Sequence, residues 1–269
     1  MALVPIDDPD DPRIVPYTGL TDEQLRRHRE GPGGDLSGIF ICEGTRVTER
    51  AMAAGLHPLS VLSASDMTER VPDMPEDVPV YVGSPEVVEA VTGVRFHRGF
   101  VAAFRRPTPM EPAQVLAHAK RVVVCENVTD PTNVGVVIRS AAGLGMDALL
   151  IDPTTCDPFY RRVLRVSMGA VFGFPHARLD RLPGGLEVVS DHGFRLVGLS
   201  PDPQAAPIGG LEPAPKTALI LGAEGPGLSE ATIRQLDRLV RIPMRPNIDS
   251  LNIGAAAAIA AYVVGGLER

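Results

Sequence analysis

Cysteine is scarce in this chain, with three in 269 residues at Cys42, Cys125 and Cys156. They are far apart, form no CxxC pair and have apolar neighbours. That excludes a thiolate metal finger or a disulfide framework and fits buried, reduced thiols. Positive charge is not in excess either. Lys+Arg number 26 against 33 Asp+Glu, a formal net charge of −7, so any nucleic-acid surface must be local. The start, MALVPIDDPDDPR, lacks the basic opening and apolar run of a secretory signal. The run IGAAAAIAAYVVGGL at 253–267 falls short of the roughly 20 residues that span a bilayer and reads as a closely packed helix. The glycines of LILGAEGPGLSE have no Lys-Ser/Thr after them and do not fit G-x-G-x-x-G, so neither a Walker A nor a dinucleotide fingerprint is present. A cytoplasmic protein with no membrane span and no metal is expected.

What is present is a two-part α/β pattern. Residues 1–20, Pro-rich and acidic, read as a loosely ordered arm. TDEQLRRHR opens a short helix with Thr21 and Gln24 spaced as a capping box, ended by GPGG at 31–34. Strands GIFIC, PLSVLSA, VPVYV and GFVAAF then alternate with helices at 45–54 and 84–93. The second of these has Ser84 as N-cap and Pro85 at its first position. This gives a small domain at 21–106, and RRPTPMEP marks a linker, 107–116, before a second domain at 117–269. There RVVVCE, ALLID, FRLVGLS, TALILG and RLVRIP are continuous apolar runs, as in parallel strands covered on both faces. Helical segments at 133–144, 157–168, 184–192 and 227–237 lie between them, so a parallel α/β sheet is expected.

Two islands are basic despite the acidic total. Ala90 to Met110 holds Arg95, His97, Arg98, Arg105 and Arg106 without an acid, and Pro158 to Leu179 holds Arg161, Arg162, Arg165, His176 and Arg178. Each is either ordinary surface solvation or a contact to a phosphate backbone.

Three segments fall at strand ends, where α/β sheets bind ligands. In ENVTDPTNVGVVIRSAAGLG, Val134, Val137, Ile138, Ala141 and Ala142 form a core-facing helical stripe, and Arg139 falls well off it. LILGAEGPGLSE takes a buried strand through a Gly-rich turn into a helix, which lets backbone approach a ligand. In RIPMRPNIDSLNIGAAAAIAAY, two prolines force an irregular loop before Ser250 and Asn252 cap an Ala-rich helix. Taken singly, each is also an ordinary turn and cap.

Together and in this order they resemble the SpoU/TrmH-type RNA 2'-O-ribose methyltransferases of the SPOUT superfamily. The matching residues are Asn133, Gly135 and Arg139, then Gly222, Glu224 and Gly227, then Ile242, Pro243 and Met244, then Ser250, Leu251 and Asn252. Motif coverage runs from about 120 to 265, and the N-terminal segment looks like the small RNA-recognising domain that often precedes it. One departure is Gly254, where the family commonly has a small hydroxyl or methyl side chain. The resemblance implies a trefoil knot, against the usual rule on threaded chains, and a homodimer through the knotted domain with the terminal helix at the interface. It implies S-adenosylmethionine held by Leu199, Ser200, Gly222, Ala223, Glu224, Gly225, Ile242, Pro243, Met244, Leu251 and Asn252. Catalytic work would fall to Arg139, Asn133, Ser250, Asn252 and Glu224. RNA, ribosomal more than transfer RNA, would meet Arg95, His97, Arg98, Arg105, Arg106, Arg161, Arg162 and Arg165. Because a guanidinium rarely gives up its proton, Arg139 is better suited to clamping a phosphate or a forming alkoxide than to acting as a base. A non-catalytic RNA-binding module, a base methyltransferase and a nicotinamide-dependent oxidoreductase are the other readings.

Overall fold

The computed structural model describes residues 2–21, 29, 34, 36–93, 99–245 and 247–265. The chain forms two compact units. One is made of residues 1–108 with Phe159–Phe172, the other of Pro109–Pro158 with Gly173–Arg269.

The first unit is built on a mixed five-stranded sheet. Its strands are β1 (Ala2–Pro5), β2 (Ile39–Glu43), β3 (Pro58–Ala64), β4 (Pro79–Gly83) and β5 (Phe100–Arg105), in the order β1-β4-β3-β5-β2. β4 is parallel to β1 and β3, while β5 is antiparallel to β3 and β2. The helix Pro85–Thr92 begins where the Ser84 hydroxyl accepts from the Val87 amide and ends at Gly93 with φ +67°.

The expected loose arm is instead structural. β1 adds to the edge of the sheet, and Ile6, Ile14, Tyr17 and Leu20 are buried in the core. The Tyr17 hydroxyl shares a 2.7 Å hydrogen bond with the Ser60 hydroxyl and accepts from the Ala103 amide, and burial pushes this phenol above its ordinary range. The prolines and aspartates hid this, because parallel edge pairing uses backbone groups that carry no residue pattern. The expected helix after Thr21 lies almost wholly outside the described residues.

Phe159 and Phe172 also belong to this unit. Their rings pack around Phe40 at centroid distances of 4.9 and 5.6 Å, and Phe104 stacks on Phe40 at 5.4 Å.

The second unit holds a seven-stranded sheet that is parallel throughout, in the order β10-β12-β9-β11-β6-β7-β8. The strands are β6 (Arg121–Cys125), β7 (Ala148–Ile151), β8 (His176–Arg178), β9 (Arg195–Leu199), β10 (Ala206–Pro207), β11 (Thr217–Leu221) and β12 (Arg238–Arg241). The apolar runs are strands because both faces are covered, and Val122–Val124 and Ala218–Ile220 have no exposed surface. Register puts Cys125, Leu221 and Leu199 side by side, so the loops after β6, β9 and β11 leave from one edge. The helix Pro131–Gly143 is close to its expected span. The others are shorter: Arg161–Val166, which belongs to the first unit, Glu187–Asp191 after a 3-10 turn, and Glu230–Ile233. The helix Pro112–His118 starts inside the expected linker and runs past its end, with Gln114 Oε1 accepting from the Glu111 amide. Among the described residues, no helix is long and apolar enough to cross a membrane.

Candidate active site

The site grows from the carboxyl edge of the parallel sheet. After β6, Asn127 turns the chain with φ +55°, and its amide donates to the buried carboxylate of Asp152 at the end of β7. Asp152 also accepts from the Thr155 amide, the Thr155 hydroxyl and the Thr154 hydroxyl. Burial alone would raise its pKa, but these donors outweigh it and hold the carboxyl below the usual range. The chain then reaches Asp130, whose carboxylate accepts from the Thr132 and Asn133 amides and starts the helix Pro131–Gly143. Asn133 lies in its first turn and is buried; Arg139, two turns on, is exposed.

After β11 the backbone doubles back at once. A Cβ on Gly222 would lie 2.3 Å from both Gly227 C and Leu228 N, so only glycine fits there. The Gly227 amide donates to Ala223 O at 3.0 Å, and Gly227 has φ +70°. This tight turn carries Glu224 on its outer side.

Asn252 joins the three sequence segments. Its Nδ2 donates to Asn133 Oδ1 at 3.0 Å and to Glu224 Oε1 at 2.7 Å. Its Oδ1 accepts from the Gly254 and Ala255 amides at 2.9 and 3.4 Å, which caps the helix Ile253–Val264. One side chain therefore uses both amide hydrogens and its oxygen in fixed directions. The departure at Gly254 has a cause in the neighbouring helix: a Cβ there would come 2.5 Å from Val136 Cγ1. Val136 occupies the space a side chain at 254 would need.

Between these elements is a cavity of about 230 Å³, lined by Leu199, Ser200, Gly222–Gly225, Ile242, Met244, Ser250, Leu251 and Asn252 among others. Of the expected cofactor residues, all but Pro243 line it. Leu221, Ile253 and Ala256 line it as well and were absent from the sequence reading. Arg139 does not line it, and among the described residues it makes no hydrogen bond or ion pair. Asn133, expected among the catalytic residues, accepts on its carboxamide oxygen from Asn252 Nδ2.

The basic islands separate on inspection. Arg95, His97 and Arg98 lie outside the described residues. Arg105 is exposed, Arg162 is half-buried, and the Arg106 guanidinium lies 5.1 Å from the centroid of the Phe159 ring. Arg161 is buried, its Nη1 2.6 Å from Glu43 Oε2, and it offers no charge to solvent. Arg165 lies 3.5 Å from the same oxygen and is partly exposed.

Two acids that the motifs do not single out support this edge: Asp152 and Glu126. Their signal was position, since each directly follows an apolar strand, where parallel sheets gather their functional loops. Among the described residues no group of acids, histidines and cysteines could hold a metal. The three cysteines are buried and form no disulfide, and burial pushes the Cys125 thiol up to about 12.

This arrangement has counterparts among known proteins. The SpoU rRNA methylase family model matches residues 120–262. The chain is 38% identical over 263 residues to an uncharacterized tRNA/rRNA methyltransferase of Mycobacterium bovis, covering 95% of this chain and 89% of that one. It is 29% identical over 227 residues to the 23S rRNA (guanosine(2553)-2'-O)-methyltransferase RlmP of Bacillus subtilis, covering 84% and 88%. The AdoMet-bound rRNA methyltransferase of Sinorhizobium meliloti shares the fold, with a TM-score of 0.77 over 97% of both chains at 21% identity. The matched span contains β6, the Arg139 helix, the glycine turn and Asn252, and the chain belongs to the SpoU rRNA methylase family.

Proposed function

We propose that this chain transfers the methyl group of S-adenosylmethionine to a ribose 2'-hydroxyl of RNA, and of ribosomal RNA in particular. The observation that carries the reading is the cavity at the carboxyl edge of β9 and β11, tied together by Asn252. Its lining fits the cofactor. Leu199, Leu221, Ile242, Met244 and Leu251 offer apolar surface for a flat base, and the backbone of the Gly222–Gly225 turn offers polar edges. Ser250 and Asn252 put polar side chains on the same wall.

The bound cofactor supplies an already electrophilic methyl group. The residues of this chain have the harder task of presenting the 2'-hydroxyl in line and accommodating the charge as its proton leaves. Arg139, exposed and without a carboxylate partner among the described residues, suits a clamp on a backbone phosphate or on the forming alkoxide. Glu224 and Asn133 fix the Asn252 amide from two sides and so hold the wall nearest Ser250.

The same reading assigns RNA capture to the first unit, where Arg105 is exposed, and a trefoil knot to the second. It assigns dimerisation to the helix Ile253–Val264, which leaves Ile259 40% and Tyr262 61% exposed. Buried thiols outside any disulfide support a cytoplasmic setting.

Titration calorimetry with S-adenosylhomocysteine is the first test, and Leu251→Arg should abolish the binding. Labelled-methyl transfer to ribosomal RNA should then leave a phosphodiester resistant to alkali beside the modified nucleotide. Methyl transfer that leaves every linkage cleavable would move the product to a base and overturn the ribose assignment.

A further inference from the structure

Glu126 is a buried carboxylate outside the cavity lining, yet three donors converge on it. The Ser229 amide donates to Oε2 at 3.0 Å, and the Ser229 and Thr232 hydroxyls donate to Oε1 at 2.8 and 2.7 Å. No Lys, Arg or His pairs with it among the described residues. Its own amide donates to Leu221 O at 2.8 Å, so Glu126 also grips the last residue of β11. Leu221 enters the glycine turn and Ser229 leaves it. Between these two points Gly222 is pressed against Gly227 and Leu228.

We infer that Glu126 is a positioning residue for the cofactor site, holding both ends of the Gly222–Gly227 turn at the spacing that shapes the cavity wall. The inference rests on the reading of that cavity as the cofactor's. The chemistry explains the residue type. A carboxylate accepts from all three donors as they stand, whereas an amide offers one oxygen and an NH2. In Glu126→Gln, either the Ser229 amide loses its acceptor or the Ser229 and Thr232 hydroxyls must turn round to accept from the new NH2, and the closure of the turn is loosened while the fold keeps nearly the same volume. Thr232→Val removes one donor without changing shape.

The test measures S-adenosylhomocysteine binding by calorimetry and steady-state methyl transfer in both variants. Glu126→Gln should raise the dissociation constant about tenfold, and Thr232→Val a smaller amount in the same direction. KM for S-adenosylmethionine should rise in parallel, while kcat at saturating cofactor and KM for RNA stay within about twofold. A purely structural role would lower thermal stability and active fraction without that split. If Glu126→Gln does not fold, Thr232→Val alone decides. Wild-type protein that binds while both folded variants bind equally well would overturn the inference. Wild-type protein that fails to bind would overturn the reading of the cavity, and this inference with it.

Discussion

Two helices of this chain carry arginines that look alike in sequence and do opposite things. Pro131–Gly143 presents Arg139 to solvent with no hydrogen bond or ion pair among the described residues. Arg161–Val166 buries Arg161 against Glu43 at 2.6 Å, with the two side chains 4% and 7% exposed. A buried cation must be neutralised on the spot, because taking it out of water costs several kcal/mol. An exposed one can be left for a ligand. The difference teaches that a count of basic residues does not locate a polyanion site; the partner of each guanidinium does.

The contrast can be broken or sharpened by experiment. The largest effect is expected at Arg161. Arg161→Ala leaves the buried Glu43 carboxylate with only the partly exposed Arg165 at 3.5 Å and should cost about 3–5 kcal/mol in denaturant unfolding. A Glu43→Leu/Arg161→Met double variant should recover much of that loss. Undiminished stability combined with weakened RNA binding would collapse the contrast. Arg139→Ala comes next. Turnover in a methyl-transfer assay should fall about 10²–10³-fold, while S-adenosylhomocysteine binding and Tm stay as in wild type. Unchanged turnover would return Arg139 to the class of solvated charges.

Gly254→Ala asks whether the Arg139 helix tolerates displacement. The added methyl would meet Val136 Cγ1 at 2.5 Å and should cost about 1–3 kcal/mol, relieved by Val136→Ala in the same chain. Additive losses in the double variant would show that the two positions do not compete for space. The smallest effect is acid-dependent. Asp152 has its pKa lowered in the folded state, so its contribution is complete above the unfolded value near 4 and drains away as pH falls through the folded value. Wild-type Tm should therefore decline below about pH 5 more steeply than that of Asp152→Asn. Parallel declines would assign the acid sensitivity elsewhere.

Much of this architecture was legible because its signals are local. Continuous apolar runs gave the parallel strands, since residues buried on both faces leave no alternation. Ser84 with Pro85 marks a helix start through a hydrogen bond within three residues, whereas the start expected at 133 lies two residues inside a helix that Asp130 caps. The cavity lining was anticipated through the resemblance that the motifs carry to the SpoU/TrmH-type enzymes, since spacing alone left each motif readable as an ordinary turn and cap. What escaped depends on distant partners. Glu43 lies 118 residues before Arg161, and Glu126 lies 103 before Ser229. Nothing around Arg161 distinguishes it from Arg162, and only the fold decides which of them is buried. The N-terminal strand escaped for a related reason: its partner β4 is more than seventy residues away, and its pairing is made by backbone.

The segment Phe159–Phe172 leaves the parallel-sheet unit, completes the core of the other unit and returns. The chain therefore passes between the two units three times, and the boundary between them is not a single cut in the gene. A recombination joint at residue 108 would give the recipient a sheet whose Phe40 lacks two of its ring neighbours and whose Glu43 lacks its cation. The donor's other half would carry those same side chains with nothing to cover them. The two parts of this chain are therefore expected to fold well only when they come from the same sequence.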